Sequence, residues 1–136
     1  MNEQPPRTVS PIRISLMCES PIVGNALGPR LSADRSFEVV GSYECLIDLV
    51  PDALAPHPHV VILGISRITH FNMLICTALR QAAPEVRIVI LPSYLDTPDD
   101  RQYALARGAD VVIEKSIDTP ALVGCIHALV GRLPSL

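Results

Sequence analysis

The sequence predicts an α/β fold, in which five helices cover a doubly wound parallel sheet of five strands. The main evidence is an apolar run at residues 59–66, which has no helical period and follows Pro58. Such a run is typical of a strand buried on both faces of a parallel sheet, and its place in the chain makes it the expected central strand. Shorter apolar runs alternate with segments of helical period on either side of it. The composition, 49% hydrophobic but only 4% aromatic, suits a core of Val, Ile, Leu and Ala.

Length, charge and the N-terminal segment limit the class of protein. A chain of 136 residues is long enough for one domain with a full core. Its formal net charge of −3 provides no basic field for nucleic acid, and no apolar run approaches the roughly 20 residues that cross a bilayer. Residues 1–10 are expected to form a flexible tail without an apolar signal core, followed by one domain over residues 11–133. We therefore expect a cytoplasmic protein that binds no membrane and, through this domain, no nucleic acid.

Cysteine and histidine, which often bind metals, are scattered along the chain. There is no Cys-x-x-Cys pair and no spacing between cysteine and histidine that is typical of a metal site. The cysteines are interpreted as reduced thiols that pack like small apolar residues; they are Cys18, Cys45, Cys76 and Cys125. His57 and His59 precede the expected central strand whereas His70 follows it, so a shared metal ion is not expected. We expect no metal and no cofactor.

Strands and helices are predicted in alternation. The strands are expected at residues 12–17, 37–41, 59–66, 86–91 and 110–113, and the helices at residues 20–31, 43–50, 69–83, 97–107 and 118–131. Ser20 followed by Pro21 is typical of a helix start, with a side-chain cap and then a proline at the first helical position. Apolar residues at helical spacing, Ile22 and Leu74 among them, are expected to face the core.

Prolines predict where helices begin, change or end. Pro29 removes a hydrogen bond inside the first helix, so a kink or a break is expected there. Pro51 is expected to end the second helix. Thr97 and Pro98, followed by two aspartates, predict the cap and the first turn of the fourth helix.

The predicted sheet also indicates where a ligand would bind. In a doubly wound sheet, ligands lie in the crevice outside the carboxyl ends of the strands. Five positions follow the predicted strands and would meet at that edge: Cys18-Glu19, Gly41-Ser42, Gly64 to Ser66, Pro92-Ser93 and Glu114-Lys115. These ends offer no nucleophile–base pair and no glycine loop that could cradle phosphate, which argues against an enzyme.

Three segments resemble the receiver domain of response regulators, most closely the NarL/FixJ type. They are FEVVG at residues 37–41, PEVRIVIL at residues 84–91 and RGADVVIEKS at residues 107–116. Together with the spacing of all five strand ends, the resemblance covers nearly the whole chain. It implies a flavodoxin-like (CheY-like) sheet with strand order 2-1-3-4-5 and a role in two-component signal transduction.

The resemblance also implies a phosphorylation pocket at the carboxyl edge. In the family, an acidic pair after the first strand binds Mg²⁺ and an aspartate at the end of the third strand accepts the phosphoryl group. A Ser/Thr after the fourth strand and a Lys after the fifth contact the phosphoryl oxygens. Here the acidic pair corresponds to Cys18 and Glu19, and the phosphoacceptor to Gly64, which has no side chain to phosphorylate. The hydroxyl corresponds to Pro92 or Ser93, and the lysine to Lys115.

The pocket is therefore interpreted as a degenerate phosphorylation site. Its expected members are Cys18, Glu19, Gly64, Ser66, Pro92, Ser93 and Lys115. Because an unpaired buried charge is costly, we predict an ion pair between Glu19 and Lys115 without a metal. Gly64 is interpreted either as loss of the phosphorylation chemistry, the favoured interpretation, or as room for a ligand or a neighbouring side chain.

The favoured function is an atypical receiver (pseudo-receiver), not an enzyme, that acts by protein–protein contact or dimerisation without aspartate phosphorylation. The resemblance implies a histidine-kinase-like or downstream regulatory protein as partner, and a homodimer through the fourth helix, last strand and fifth helix. The alternative is a flavodoxin-like module that binds a small molecule or a nucleotide. A third interpretation is phosphorylation at Ser66 or Glu19. NarL/FixJ relatives continue into a helix-turn-helix DNA-binding domain, which is not expected in this chain.

Overall fold

In the computed structural model, which describes residues 10–114 and 117–131, five strands form one sheet. They are β1 (Ile12–Cys18), β2 (Phe37–Glu44), β3 (Val60–Ile65), β4 (Arg87–Pro92) and β5 (Val111–Val112). All neighbouring strands pair in parallel, and their order is β2-β1-β3-β4-β5. The predicted doubly wound, flavodoxin-like sheet and its strand order are confirmed. The predicted tail, residues 1–10, lies outside the described residues except for Ser10.

Helices cover both faces of this sheet. They are α1 (Pro21–Ser32), α2 (Val50–Leu54), α3 (His70–Ala82), α4 (Asp99–Ala106) and α5 (Thr119–Leu129), and a 3₁₀ turn at Ile47–Leu49 precedes α2. Residues of α1 and α5 belong to one core cluster, and residues of α2, α3 and α4 to the other. Among the described helices, none has the length and apolar character that a membrane span requires.

Strand β3 forms the centre of the sheet, and all six of its residues are buried. Its side chains alternate between the two core clusters: Val61 and Leu63 pack on the α2–α4 side, whereas Val60 and Ile62 pack on the α1–α5 side. Burial on both faces explains why this stretch shows no alternation of apolar and polar residues. The predicted central strand is confirmed and is one residue shorter at each end.

The region after β2 differs from the prediction. Strand β2 continues to Glu44 rather than ending at Gly41, and its register with β1 shifts between Ile14 and Ser15. The predicted helix at residues 43–50 is wrong, because α2 begins at Val50 and contains Pro51 in its first turn. A proline fits that position because the first N–H groups of a helix have no acceptor within the helix.

Helix α1 begins as predicted, with Ser20 Oγ accepting a hydrogen bond from the Ile22 N–H at 3.3 Å. The predicted break at Pro29 is absent, since the helix continues to Ser32. Pro29 lies in the last turn of the helix, where its missing N–H removes one hydrogen bond, to the Asn25 carbonyl, without ending the helix. The expectation that Ile22 faces the core is wrong: 78% of this residue is exposed, because it lies on the side of the first turn that is turned away from the sheet.

Helix α3 begins at His70, and Thr69 caps it, since Thr69 Oγ1 accepts a hydrogen bond from the Asn72 N–H at 3.1 Å. Its buried side is formed by Asn72, Met73, Ile75, Cys76 and Leu79. Leu74 was expected to face the core as well, but 47% of it is exposed because it lies on the outer side of the helix.

The start of α4 has a different cap from the predicted one. The Asp100 carboxylate accepts hydrogen bonds from the Asp96 N–H at 2.7 Å and from the Thr97 N–H at 3.2 Å. The Thr97 hydroxyl donates to the same carboxylate at 3.2 Å instead of accepting from the helix. The acid in the first turn, rather than the threonine before it, therefore holds the loop on the positive end of the helix dipole.

Candidate functional site at the carboxyl edge of the sheet

The carboxyl ends of β1 and β3 lie side by side. Cys18, the last residue of β1, pairs with Gly64 of β3, and the Glu19 N–H donates to the Gly64 carbonyl at 2.8 Å. On the other side of β3, Ile65 pairs with Pro92, and the Ser93 N–H donates to the Ile65 carbonyl at 2.9 Å. Parallel pairing thus brings together six residues of the expected pocket: Cys18, Glu19, Gly64, Ser66, Pro92 and Ser93. The seventh, Lys115, lies outside the described residues.

Gly64 is buried, and neighbouring side chains fill the space beside it. A Cβ atom built on Gly64 would lie 3.0 Å from Cys18 Sγ and 3.4 Å from Val23 Cγ1. Both distances are shorter than or at the limit of comfortable contact between such atoms. The sequence left open whether Gly64 makes room for a ligand or for a neighbouring side chain. The structure supports a neighbouring side chain, because the space beside Gly64 is filled.

Cys18 is part of the core, with 3% of its surface exposed. Its sulfur also approaches α1, because a Cβ atom on Gly24 would lie 3.8 Å from Cys18 Sγ and 3.0 Å from Ser42 Oγ. Gly64 on β3 thus allows close packing around this thiol, whereas Gly24 on α1 gives room to the Ser42 hydroxyl. The sequence showed the two glycines, but it did not indicate which side chains would lie against them.

Glu19 is the remaining carboxylate of the expected acidic pair. Its Oε1 atom accepts a hydrogen bond from the Ser66 N–H at 2.6 Å, and its Oε2 atom accepts one from Asn72 Nδ2 at 3.3 Å. Asn72 Nδ2 also donates to the Arg67 carbonyl at 2.9 Å. These contacts tie the end of β1 to the loop between β3 and α3. The predicted ion pair of Glu19 with Lys115 falls on a residue that the structure does not describe.

Asn72 is a site residue that the sequence analysis missed. Only 6% of it is exposed, and it lies among the apolar residues of the buried side of α3. A polar residue on an apolar helix face must find hydrogen-bond partners, because burying an unpaired amide is costly. The sequence did contain a signal for Asn72: a polar amide stands next to the apolar Met73 in the first turn of the helix that Thr69 caps.

The loops after β3 and β4 are joined above the site. Arg67 forms a salt bridge with Asp96 at 3.3 Å and places its guanidinium 5.4 Å from the centre of the Tyr94 ring. The Tyr94 N–H donates to the Ser66 carbonyl at 2.9 Å. An exposed salt bridge contributes little by itself, but with the backbone hydrogen bond it sets the relative position of the two loops.

The thiol that follows β2 is not activated as a nucleophile. Burial, with smaller contributions from the negative charge of Glu19 and from the neighbouring Cys18 thiol, raises the pKa of Cys45 to about 12. A thiol with such a pKa is almost entirely protonated at neutral pH and reacts slowly. The four cysteines, all within the described part of the chain, form no disulfide.

Metal ligands are sparse at this edge. Within residues 10–114 and 117–131, no group of three or more His, Cys, Asp or Glu side chains could hold a metal ion. Mg²⁺ requires hard oxygen ligands in octahedral geometry, and among the described members of the expected pocket Glu19 supplies the one carboxylate. The histidines lie at opposite ends of β3. His59 precedes the strand and accepts a hydrogen bond from the Arg13 N–H at its Nδ1 atom, at 2.9 Å, whereas His70 begins α3 after the strand.

Comparison with known proteins identifies the fold. No family model matches the chain, and no curated protein sequence matches it. Among solved structures, the signal receiver domain of NarL from Mycobacterium tuberculosis has a TM-score of 0.76 at 18% identity, covering 90% of this chain and 98% of that chain. This chain has the fold of a response-regulator receiver domain.

Two further structures have the same receiver fold. The response regulator domain of CheB from Thermotoga maritima has a TM-score of 0.74 at 20% identity, covering 91% of this chain and 99% of that chain. A two-component response regulator of the LuxR family from an Aurantimonas species has a TM-score of 0.75 at 23% identity, covering 90% of this chain and 88% of that chain. The receiver fold implied by the resemblance in sequence is therefore confirmed.

Proposed function

We propose that this chain is a receiver-type domain of two-component signal transduction that works without phosphorylation of an aspartate. The observation that carries the proposal is Gly64. It lies near the end of the central strand, where the resemblance places the phosphoacceptor. A glycine has no carboxylate and cannot form an acyl phosphate, so the signal must reach the domain by another route.

The surroundings of Gly64 support this proposal. Cys18 stands where the resemblance places one acid of the Mg²⁺-binding pair, and its sulfur fills the space next to Gly64. Glu19 already accepts hydrogen bonds from Ser66 and Asn72. A single carboxylate with partners of its own is a poor site for Mg²⁺, which is usually held by carboxylates together with phosphate oxygens. We propose that Glu19 stabilises the loop between β3 and α3 in place of a metal and a phosphoryl group.

The remaining pocket residues are assigned by their positions. Pro92 is the last residue of β4 and pairs with Ile65, and Ser93 follows it at the carboxyl edge of the sheet. We propose Ser93 as the position of the family's hydroxyl, since Pro92 offers none, and Lys115 as the position of its lysine. Without an acceptor, neither residue has a phosphoryl group to contact.

The output of such a domain is a protein contact. The resemblance implies a histidine-kinase-like or downstream regulatory protein as the partner. It implies that the contact surface is formed by α4, β5 and α5, and that a homodimer would use the same surface. Within the described part of these three elements, Leu105 is the one large apolar residue that is clearly exposed. A partner at this surface would therefore be recognised mainly by polar and charged groups. Because the acceptor is missing, we propose that control comes from a partner, a ligand or the expression level rather than from phosphorylation.

A flavodoxin-like module that binds a small molecule is the second candidate. A cavity of about 200 Å³ lies between α1, the end of β4 and α5, and is lined mostly by apolar side chains, among them Ile22, Leu91 and Leu122. Ligand pockets are usually about 300–1,000 Å³, so this cavity is small. Its one guanidinium, Arg30, already donates two hydrogen bonds to Thr119 Oγ1. At this cavity, these features favour a small apolar ligand over a nucleotide.

Phosphorylation at Ser66 or Glu19 is the third candidate and ranks last. A serine ester requires a different donor chemistry from an acyl phosphate. The Glu19 carboxylate is held by two hydrogen bonds, which a phosphoryl group would have to replace.

Intact mass spectrometry tests the proposed function. The protein is incubated with Mg²⁺ and acetyl phosphate, beside a receiver domain that carries an aspartate at the acceptor position as positive control. We expect the control to gain a phosphoryl mass and this chain to gain none; a stoichiometric gain on this chain would overturn the proposal. A thermal-shift screen with nucleotides, flavins and cyclic dinucleotides tests the second candidate, which a large and reproducible stabilisation would place first.

A further inference from the structure

Helix α3 carries two large apolar residues on its outer side. Its inner side packs into the core through Met73, Cys76 and Leu79. On its outer side, 66% of Phe71 and 47% of Leu74 are exposed. The water-facing side of a helix normally carries polar residues, as His70 and Gln81 of α3 show, so two large exposed apolar residues on that side are unusual. They mark this part of α3 as a candidate contact surface.

The neighbouring 3₁₀ turn extends this surface. Leu46 and Ile47, at the start of the turn, are each about half exposed, and the turn packs against α3. Four of the seven large apolar residues that are exposed in the described part of the chain thus lie on these two adjoining elements. We call Leu46, Ile47, Phe71 and Leu74 the α3 patch. Scattered exposed apolar residues are ordinary, but a concentration of them on one face marks an interaction site.

The two margins of the α3 patch carry opposite charge. On the α2 side, Asp48 and Asp52 are exposed, and residues 36–66 contain no Lys or Arg at all. On the α4 side, Arg107 is exposed just after the end of α4, whereas the exposed Asp99 lies at the opposite end of that helix. Arg107 stacks 5.1 Å from the centre of the Tyr103 ring, and its carbonyl accepts a hydrogen bond from Thr77 of α3 at 3.3 Å. The guanidinium is thereby held beside α3, across the helix from the two aspartates.

We propose that a second copy of this chain covers the α3 patch in a symmetric dimer. A two-fold axis that runs along α3, in the plane of the contact, places each of Phe71 and Leu74 against its own counterpart. The same axis places the acidic α2 margin of each copy against the basic α4 margin of the other. The face is thus complementary to itself in both its apolar centre and its charged edges. Opposed charges of this kind set orientation and association rate more than affinity, and the small apolar centre makes the dimer a weak one.

This dimer differs from the one implied by the family resemblance. The α3 patch lies on the α2–α3 face, whereas the resemblance points to α4, β5 and α5. The inference does not depend on the proposed function, because the α3 patch contains no residue of the degenerate pocket. A domain that is phosphorylated after all could still dimerise in this way.

Sedimentation velocity over a wide range of protein concentration tests the proposal. We expect the unmodified chain to pass from monomer to dimer as concentration rises. Phe71→Glu, and Leu74→Gln as a milder second variant, are expected to weaken the dimer roughly tenfold or more, as loss of a central apolar contact does. Ile22→Glu on α1 and Leu105→Glu on α4 are matched controls that change other exposed apolar residues and are expected to leave the dimer intact. Circular dichroism establishes that each variant is folded.

Charge reversal tests the geometry of the two margins. Asp52→Arg alone and Arg107→Asp alone are each expected to weaken the dimer, because each brings like charges together at both margins. An equimolar mixture of the two variants restores opposite charges at both margins and is expected to form heterodimers at least as well as the unmodified chain. The proposal would be overturned if the chain is a monomer at every concentration, or if the dimer survives both Phe71→Glu and Leu74→Gln. It would also be overturned if Leu105→Glu abolishes the dimer, or if the mixture of the two charge variants forms no heterodimer.

Discussion

Cys18 Sγ lies 3.0 Å from the point at which a Cβ atom would stand on Gly64. The two residues are partners in the pairing of β1 with β3, so the sulfur of one occupies the side-chain space of the other. Any side chain at position 64 therefore requires Cys18 to move or to shrink. The two positions form one packing unit and are expected to respond together to mutation.

Restoring an aspartate shows this coupling. Gly64→Asp alone is expected to destabilise the fold by about 1–3 kcal/mol, because it overpacks a filled site, and to bind Mg²⁺ poorly. Adding Cys18→Ala is expected to recover part of that loss, so that the double variant is more stable than the two single effects predict. Urea denaturation measures the free energy of unfolding of the single and double variants. Gly64→Ala is the control that adds volume without charge. Simple additivity of the two changes would show that Cys18 does not limit the site.

Cys18→Asp combined with Gly64→Asp is expected to go further. With Glu19, this variant places three carboxylates at the carboxyl edge, which is a ligand set that suits Mg²⁺. We expect Mg²⁺ binding by calorimetry and a phosphoryl mass after incubation with acetyl phosphate. If the folded double variant binds no Mg²⁺, then the loop after β3, and not the missing acids, prevents the chemistry.

Asn72 is expected to stabilise the loop between β3 and α3. Asn72→Ala removes the hydrogen bonds to Glu19 and to the Arg67 carbonyl and leaves these acceptors without their buried donor. The expected loss is about 1–2 kcal/mol in the free energy of unfolding, with faster hydrogen exchange at the Ser66 amide. Gln81→Ala, at an exposed position of the same helix, is the control and is expected to change little. Unchanged exchange at Ser66 would show that the backbone hydrogen bond to Glu19 does not depend on Asn72.

Arg80 is expected to be the most important charged residue for stability. Its guanidinium donates to the carbonyls of Gly108, Pro84 and Val86 and forms a salt bridge with Asp110 at 2.6 Å. Arg80→Ala is expected to cost about 2 kcal/mol, because these charge-assisted hydrogen bonds are only partly exposed to water. Arg80→Lys is expected to recover little of this, since an ammonium group cannot reproduce the planar fork.

Arg87 provides the control for Arg80. It contacts the same aspartate, Asp110, but at 3.8 Å and with about half of its side chain exposed. Arg87→Ala is expected to cost less than about 0.5 kcal/mol. Similar losses in thermal or urea denaturation for Arg80→Ala and Arg87→Ala would contradict the assignment of the stabilising role to the hydrogen-bond network.

Asp34 is expected to contribute to unfolding in acid. Hydrogen bonds from the Ser36 hydroxyl and the Ser36 N–H lower the pKa of Asp34, and the nearby His127 adds a smaller effect in the same direction. The stabilisation is therefore present above the ordinary pKa of an aspartate, about 4, and is lost as pH falls towards the lowered value. Asp34→Asn and Ser36→Ala are each expected to flatten the decrease in stability below about pH 4. Denaturation curves recorded at several pH values would contradict this if the variants follow the unmodified protein.

Thiol labelling is expected to distinguish Cys125 from the other cysteines. Burial raises the pKa of Cys45 to about 12 and of Cys76 to about 11, and Cys18 is buried as well, whereas Cys125 is partly exposed. At pH 8 a thiol reagent is expected to modify Cys125 first in the folded protein and all four cysteines after unfolding. Because the folded state retains protons that the unfolded state releases above about pH 8.5, stability is expected to fall at alkaline pH. Mass spectrometry of the labelled protein identifies the modified residue, and early modification of Cys45 would contradict the expectation.

Much of the fold could be predicted because its signals are local. The run at residues 59–66 indicated a strand buried on both faces, and Ser20 followed by Pro21 indicated a helix start through a hydrogen bond that reaches only two residues along the chain. The prediction failed at Pro51, because a proline that can end one helix can equally begin the next. It failed at Leu74 because this residue lies between two buried apolar residues, Met73 and Ile75, and the run of apolar residues does not tell which of them face the sheet.

The order of strands and helices along the chain and the lack of a carboxylate at position 64 could be read from the amino-acid sequence. The surroundings of that position depend on how the chain folds. Glu19 reaches Ser66 across 47 residues of chain and Asn72 across 53, and Cys18 lies against Gly64 because β1 and β3 are neighbours in the sheet. Such contacts depend on the register between strands that are distant in sequence, and no local pattern of apolar residues or caps encodes the distance between two side chains in the folded chain.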